Sequence, residues 1–191
     1  MTPHSPYFVP YRVVRDQIAD GDLLLFRRRG LIAIAGRGAH SHAAKAARWK
    51  GSLFCLEVRE WFGGRAVTLS SQVKRYPGRI DVFRTNAGNR WPDYNRKLAL
   101  VEMQRLAGCD YGYRNVLAAA LVHLCFVRLF TSPNTDDKSE SMLPPFCSEA
   151  ISRAERRGGG VDPVPHLADR MTEPADLARS PFYKYRFTLV P

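Results

Sequence analysis

Cys147 stands in the run Pro144-Pro145-Phe146-Cys147-Ser148-Glu149-Ala150-Ile151-Ser152, a setting that suits a reactive thiol. Two prolines stop whatever precedes them. Pro145 also falls where a helix tolerates proline best, in the first turn, because that N–H would have no intrahelical partner. Ala150, Ile151 and Ala154 then recur at helical spacing, while Arg153, Arg156 and Arg157 load the far end with positive charge. Gly158-Gly159-Gly160 ends the pattern. The spacing predicts a helix of about three turns with Cys147 at its mouth. Unpaired backbone N–H groups and the positive end of the helix dipole favour a thiolate there, which is one way of making cysteine nucleophilic.

A nucleophile of this kind needs a base. The histidines are His4, in an N-terminal arm; His123, in an apolar segment; His166, in a Pro-rich loop; and His40 and His42. His42 follows Ser41 inside a strand-like run, and His40, two residues away, could share its face. Ser41 to Arg48 and Ser52 to Arg59 read as two strands joined by Trp49-Lys50-Gly51. If Trp49-Lys50 is the turn, His42 lies directly opposite Glu57. If the turn is Lys50-Gly51, Glu57 faces Ala44 and His42 is its diagonal neighbour on the same face. Either two-residue loop brings imidazole and carboxylate within hydrogen-bonding reach, whereas a three-residue loop flips the parity. A carboxylate on one ring nitrogen fixes the tautomer and leaves the other nitrogen to take a proton from a thiol. The same pair can equally be a polar contact on an exposed sheet face.

The elements that must position these residues follow from the rest of the chain. Residues 1 to 20 read as an arm with a short helical piece around Val13 to Ile18. Leu23 to Phe26, opened by Gly21-Asp22, suits a buried strand. A short apolar piece runs from Leu31 to Ala35. After the hairpin, Ala66 to Val73 follows Gly63-Gly64 and Arg79 to Arg84 follows Pro77-Gly78, which together predict an antiparallel meander. From Pro92 the period becomes helical through Leu98, Val101, Met103 and Leu106, and a second helix is expected after Tyr113. Residues 131 to 145 form a polar loop entering the Cys147 helix. A C-terminal extension, 158–191, holds a Pro-rich connection, a short helix near Ala175 to Ala178 and a last strand, Tyr183 to Val190. With no internal repeat and no evident boundary, the chain reads as one α+β domain, 1–191.

Composition narrows the partners. Twenty-nine basic against 18 acidic residues give a net charge of +11 over 191 residues, which favours an anionic substrate or surface, unless it is a solubility charge. Cysteines 55, 109, 125 and 147 include no Cys-x-x-Cys pair, so neither a zinc site nor a redox motif is indicated; no metal or organic cofactor is expected. Cys55 and Cys125 read as small buried hydrophobes. Val116 to Phe130 is apolar but only 15 residues long, and it contains His123 and Arg128. It reads as a buried helix, with membrane-surface contact the minority reading. The N-terminus carries no secretory signal, so the expected location is cytoplasmic, or delivery without a signal peptide.

Gly21-Asp22-Leu23-Leu24-Leu25-Phe26, Ser41-His42-Ala43-Ala44, Leu56-Glu57 and Phe146-Cys147-Ser148-Glu149, in that order, resemble the circularly permuted branch of the NlpC-type papain-like cysteine hydrolases. The YiiX-like proteins are the nearer relatives and lecithin:retinol acyltransferase a more distant one. Tyr76-Pro77-Gly78 and Tyr111-Gly112 also look like family features. The resemblance spans roughly Gly21 to Ala154. It implies a papain-like antiparallel sheet or half-barrel followed by packed helices, with Cys147 as nucleophile, His42 as base and then acid, and Glu57 as orienter of the imidazole. It also implies hydrolysis of an amide, in a cell-wall (peptidoglycan) peptide, or alternatively acyl chemistry on a lipid. A non-enzymatic basic binding module is the remaining reading. Nucleic acid is disfavoured as its partner, because the aromatic-plus-basic strand pattern of the common single-strand binders is missing.

Overall fold

The computed structural model describes residues 5–27, 38–59, 61–110 and 145–191. The piece at Leu31–Ala35, the helix expected after Tyr113 with its apolar run Val116–Phe130, nearly all of the loop at 131–145, and His4, His123 and Cys125 lie outside those residues.

The described strands are β1 (Phe8–Pro10), β2 (Leu23–Arg27), β3 (His40–Trp49), β4 (Ser52–Arg59), β5 (Gly63–Thr68), β6 (Ile80–Thr85) and β7 (Tyr183–Val190). They form one open sheet of order β1-β7-β6-β2-β3-β4-β5, antiparallel throughout except for the parallel β1–β7 pair. The α+β class is therefore as expected, but the sheet is not a simple meander. Only β2 to β5 follow one another; β6 returns to the far side of β2, and the C-terminal β7 closes onto β6. The return is possible because the stretch read as a strand from Ala66 to Val73 divides. β5 ends at Thr68, and Leu69–Arg75 is a helix, α2. Leu69 and Val73, four residues apart, are both buried against the sheet, which is helical rather than strand periodicity.

The remaining helices are α1 (Tyr11–Val14), α3 (Arg96–Arg105), α4 (Cys147–Arg157) and α5 (Pro174–Arg179). The arm carries its helical turn as expected, preceded by a strand that the sequence reading missed. In α3 the buried pair is Ala99 and Met103, while Leu98 and Val101 are exposed, so the apolar stripe chosen from sequence was offset. Alternation along the central strands separates two cores. Leu23, Leu25, Ala43, Leu56 and Val58 face Met103 of α3, Ala150, Ile151 and Ala154 of α4, and Leu177 of α5. Leu24, Phe26, Ala44, Ala46 and Cys55 face α2 and the N-terminal arm. Cys55 is the small buried hydrophobe expected of it. No helix among the described residues is long and apolar enough to cross a membrane.

Candidate active site

The hairpin geometry decides between the two registers that the sequence left open. Lys50 and Gly51 both have positive φ (46° and 78°), the conformation of a tight two-residue hairpin turn. Trp49 consequently pairs with Ser52, and the ladder continues to Lys45↔Leu56. Glu57 falls beside Ala44, with His42 diagonal to it, just beyond the last rung of the ladder. Their side chains meet: His42 Nε2 lies 2.6 Å from Glu57 Oε2.

Cys147 arrives from the other layer. It is the first residue of α4, which packs on β3 and β4. The helix start is fixed by Glu149, whose Oε2 accepts from the Phe146 N–H at 3.3 Å, and by Ser148 Oγ, which donates to the Thr172 carbonyl at 2.8 Å. The Cys147 side chain reaches the His42 imidazole closely enough to favour its charged form. With Nε2 committed to Glu57, Nδ1 is the ring nitrogen left for the sulfur. Phe26, from the α2-side core, packs against the same imidazole at a ring separation of 5.2 Å. The three residues singled out from sequence are thus brought together, Cys147 beside the imidazole that Glu57 holds.

The site is buried and strongly polarised. Burial opposes a charged imidazole, but the contacts with Cys147 and Glu57 outweigh it and lift His42 to about 9. Burial likewise opposes ionisation of Glu57. Its contacts with His42 and then Arg65 reverse that and hold the carboxyl at about 2. At neutral pH the pair is therefore imidazolium and carboxylate.

His40 does not share the face of His42. A β-bulge shifts the register so that Phe26 faces His42 while Arg27 faces His40, which turns the two rings to opposite sides of the sheet. His40 Nε2 contacts Asp81 Oδ2 at 2.7 Å, and the same carboxylate binds Arg27 through two N–H groups and accepts from Thr188 Oγ1. His166 lies exposed on the C-terminal extension.

Two features of the site went unread in the sequence. Arg65 is the direct cross-strand partner of Glu57 and donates Nε and Nη2 to Glu57 Oε1 at 2.8 and 2.6 Å. Starting the third strand at Ala66 left this arginine outside the sheet; a three-residue loop from Arg59 to Gly63 would have paired it. The second is Lys45, on β3, whose Nζ donates to Glu155 on α4 and to the Gly21 carbonyl at 2.9 Å. Glu155 also accepts from Tyr94 at 2.6 Å and Tyr183 at 3.0 Å. Glu155 lies two turns beyond Cys147 on the same helix, so this buried contact ties the helix of the thiol to the strand of the imidazole. Local sequence patterning gives no warning of a buried lysine.

The chain matches no known protein family and no curated protein. It is similar in structure to the metalloprotein YiiX from Escherichia coli O157:H7, with a TM-score of 0.59 at 13% identity. The match covers 92% of this chain and 99% of that one. The likeness is one of fold.

Proposed function

We propose that the chain is a cysteine hydrolase with Cys147 as nucleophile, His42 as general base and acid, and Glu57 as orienter of the imidazole. The observation that carries this reading is the buried Cys147 at the start of its helix, placed beside a His42 imidazole that Glu57 holds by a hydrogen bond. The fold shared with YiiX is consistent with the YiiX-like, permuted papain-like arrangement in which the histidine strand precedes the cysteine helix.

In the reaction, His42 Nδ1 holds the proton taken from Cys147, and Sγ attacks the substrate carbonyl carbon. The backbone N–H of Cys147, with no intrahelical acceptor at the first helical position, faces the developing oxyanion. Collapse of the tetrahedral intermediate breaks the carbonyl–nitrogen bond, the amine leaves with the proton from His42, and a thioester remains. Water, deprotonated by His42, then releases the acid and regenerates the thiol. YiiX is described as a metalloprotein. Here no group of three or more His, Cys, Asp or Glu among the described residues is arranged to hold a metal ion, and His40 and His42 are each committed to a carboxylate.

The substrate that best suits this site on a chain of net charge +11 is an amide in an anionic cell-wall peptide. Purified peptidoglycan would be digested with the native protein and with Cys147→Ala, His42→Ala and His40→Ala, beside a phospholipid arm. New peptide termini should appear with native protein and His40→Ala, and fall by about a thousandfold or more in the other two. Fatty-acid release alone would replace the cell-wall substrate with a lipid. Equal turnover by Cys147→Ala would end the cysteine hydrolase reading.

A further inference from the structure

We infer that Arg65 is the positioning residue of this site: by clamping one oxygen of Glu57 it fixes which oxygen meets His42 and keeps that carboxylate charged. The inference rests on the hydrolase reading for its consequence, though not for its geometry.

Glu57 is fully buried on the strand face it shares with His42, and its two oxygens are divided. Oε2 meets the imidazole. Oε1 receives two N–H groups from Arg65 and lies 3.9 Å from Arg59, whose Nη2 is held by the Tyr76 hydroxyl at 2.6 Å. The charged and titratable groups facing Glu57 are thus His42 from β3, Arg59 from its own strand and Arg65 from β5, with the buried thiol of Cys55 two residues away. Two N–H groups converging on one oxygen hold the carboxylate against rotation, because turning it over would break both bonds to Arg65 and the bond to His42 together. Arg65 is itself braced, since its guanidinium lies over the Phe62 ring at 4.4 Å and it is the direct ladder partner of Glu57.

Removing this clamp changes the chemistry in a specific way. A buried carboxyl facing only an imidazole and a more distant arginine is pushed back towards the neutral form by desolvation. A protonated Glu57 no longer stabilises the imidazolium formed when His42 takes the Cys147 proton, so the loss should be greatest in acid.

The test follows the Glu57 carboxyl carbon by NMR in native protein, Arg65→Met and Arg65→Lys, and the shape of the pH profile of Cys147 alkylation in the same proteins. Native Glu57 should show no transition between about pH 3.5 and about pH 8. Arg65→Met should bring one in, and Arg65→Lys, which supplies charge without the fork, should show a smaller shift. Alkylation of Arg65→Met should gain an acid limb, falling about tenfold at about pH 5 relative to native while staying within about threefold at about pH 8. That limb should vanish in the double variant with Glu57→Gln. An unmoved Glu57 transition in Arg65→Met overturns the inference whatever the reactivity of Cys147, as does a uniform slowing with no new limb or a limb that survives Glu57→Gln. A native Cys147 profile indifferent to His42→Ala, with the Glu57 transition moved as stated, sinks the hydrolase reading and leaves the clamp standing.

Discussion

Lys45→Met is the substitution whose effect the structure specifies most closely. Lys45 is 1% and Glu155 0% exposed, and they face each other between β3 and α4. Burial pulls Lys45 below the usual lysine range, with Glu155 opposing. Methionine nearly conserves the volume but leaves the Glu155 carboxylate in the core with only the hydroxyls of Tyr94 and Tyr183. Stranding one member of a buried pair costs about 3–5 kcal/mol. For a chain of this size that is on the order of 10 °C in Tm. Glu155→Gln should cost less, because the lysine left behind can shed its proton while Gln still accepts from a tyrosine. The double variant removes both charges and should recover all but about 2 kcal/mol, so a double-mutant cycle should show a coupling of at least about 2 kcal/mol. Urea unfolding at neutral pH, followed by tryptophan fluorescence and by circular dichroism, measures all three. The reasoning is refuted if Lys45→Met costs under about 1 kcal/mol, or if the double variant loses the sum of the single losses.

The His42–Glu57 pair gives stability a bounded pH window. Glu57 is lowered from 4.5 to about 2, so its contribution is complete above 4.5 and lost as pH falls through 2. His42 is raised from 6.5 to about 9, so its contribution is complete below 6.5 and lost as pH rises through 9. The Tm difference between native protein and Glu57→Gln should therefore be largest between 4.5 and 6.5. A flat difference across that range and up to about pH 9 would contradict the assignment. At Gly64, a Cβ would sit 1.6 Å from the Leu106 carbonyl oxygen, where the end of α3 meets β5. Gly64→Ala should cost about 3 kcal/mol, against about 1 kcal/mol for Gly51→Ala, where the space is open and only the positive φ is strained. Thermal unfolding of the two variants makes the comparison.

Legibility from sequence followed the range of the interactions. The β3–β4 hairpin, β7 and the Cys147 helix were readable because turn residues, proline, glycine and periodicity are encoded within a few residues of where they act. The His42–Glu57 contact was readable for the same reason: a short loop fixes the register. Sheet order was not readable. Nothing near Ile80 says that it pairs with Phe26 rather than with β5, because that choice is made by the buried faces of α2 and β2 together. The bulge at His40 was invisible for a related reason. Its driving contacts are Asp81 and Phe83, about forty residues away, and the shift of a single residue reverses every face assignment before it.

That bulge gives the molecule an internal comparison for its own site. His40 and His42 each place Nε2 on a buried carboxylate, and each carboxylate is also gripped by an arginine through two N–H groups: Arg27 on Asp81 and Arg65 on Glu57. Asp22, also buried, is approached by Arg84 at 3.6 Å and Arg96 at 3.2 Å. The Arg27–Asp81 and Arg65–Glu57 pairs each join one arginine to one carboxylate, so the net charge of +11 is left to the rest of the chain. The histidine–carboxylate–arginine set thus occurs twice in this sheet, at His40 and at His42. The difference at His42 lies on the other side of the ring. Among the described cysteines, Cys55 lies in the α2-side core two residues from Glu57 and Cys109 lies beyond the end of α3, while Cys147 is delivered by α4 to the imidazole itself. A fold that needed only the ion pair would have no use for a thiol at a helix mouth in that position, so the functional proposal rests on Cys147 and not on the charges around it.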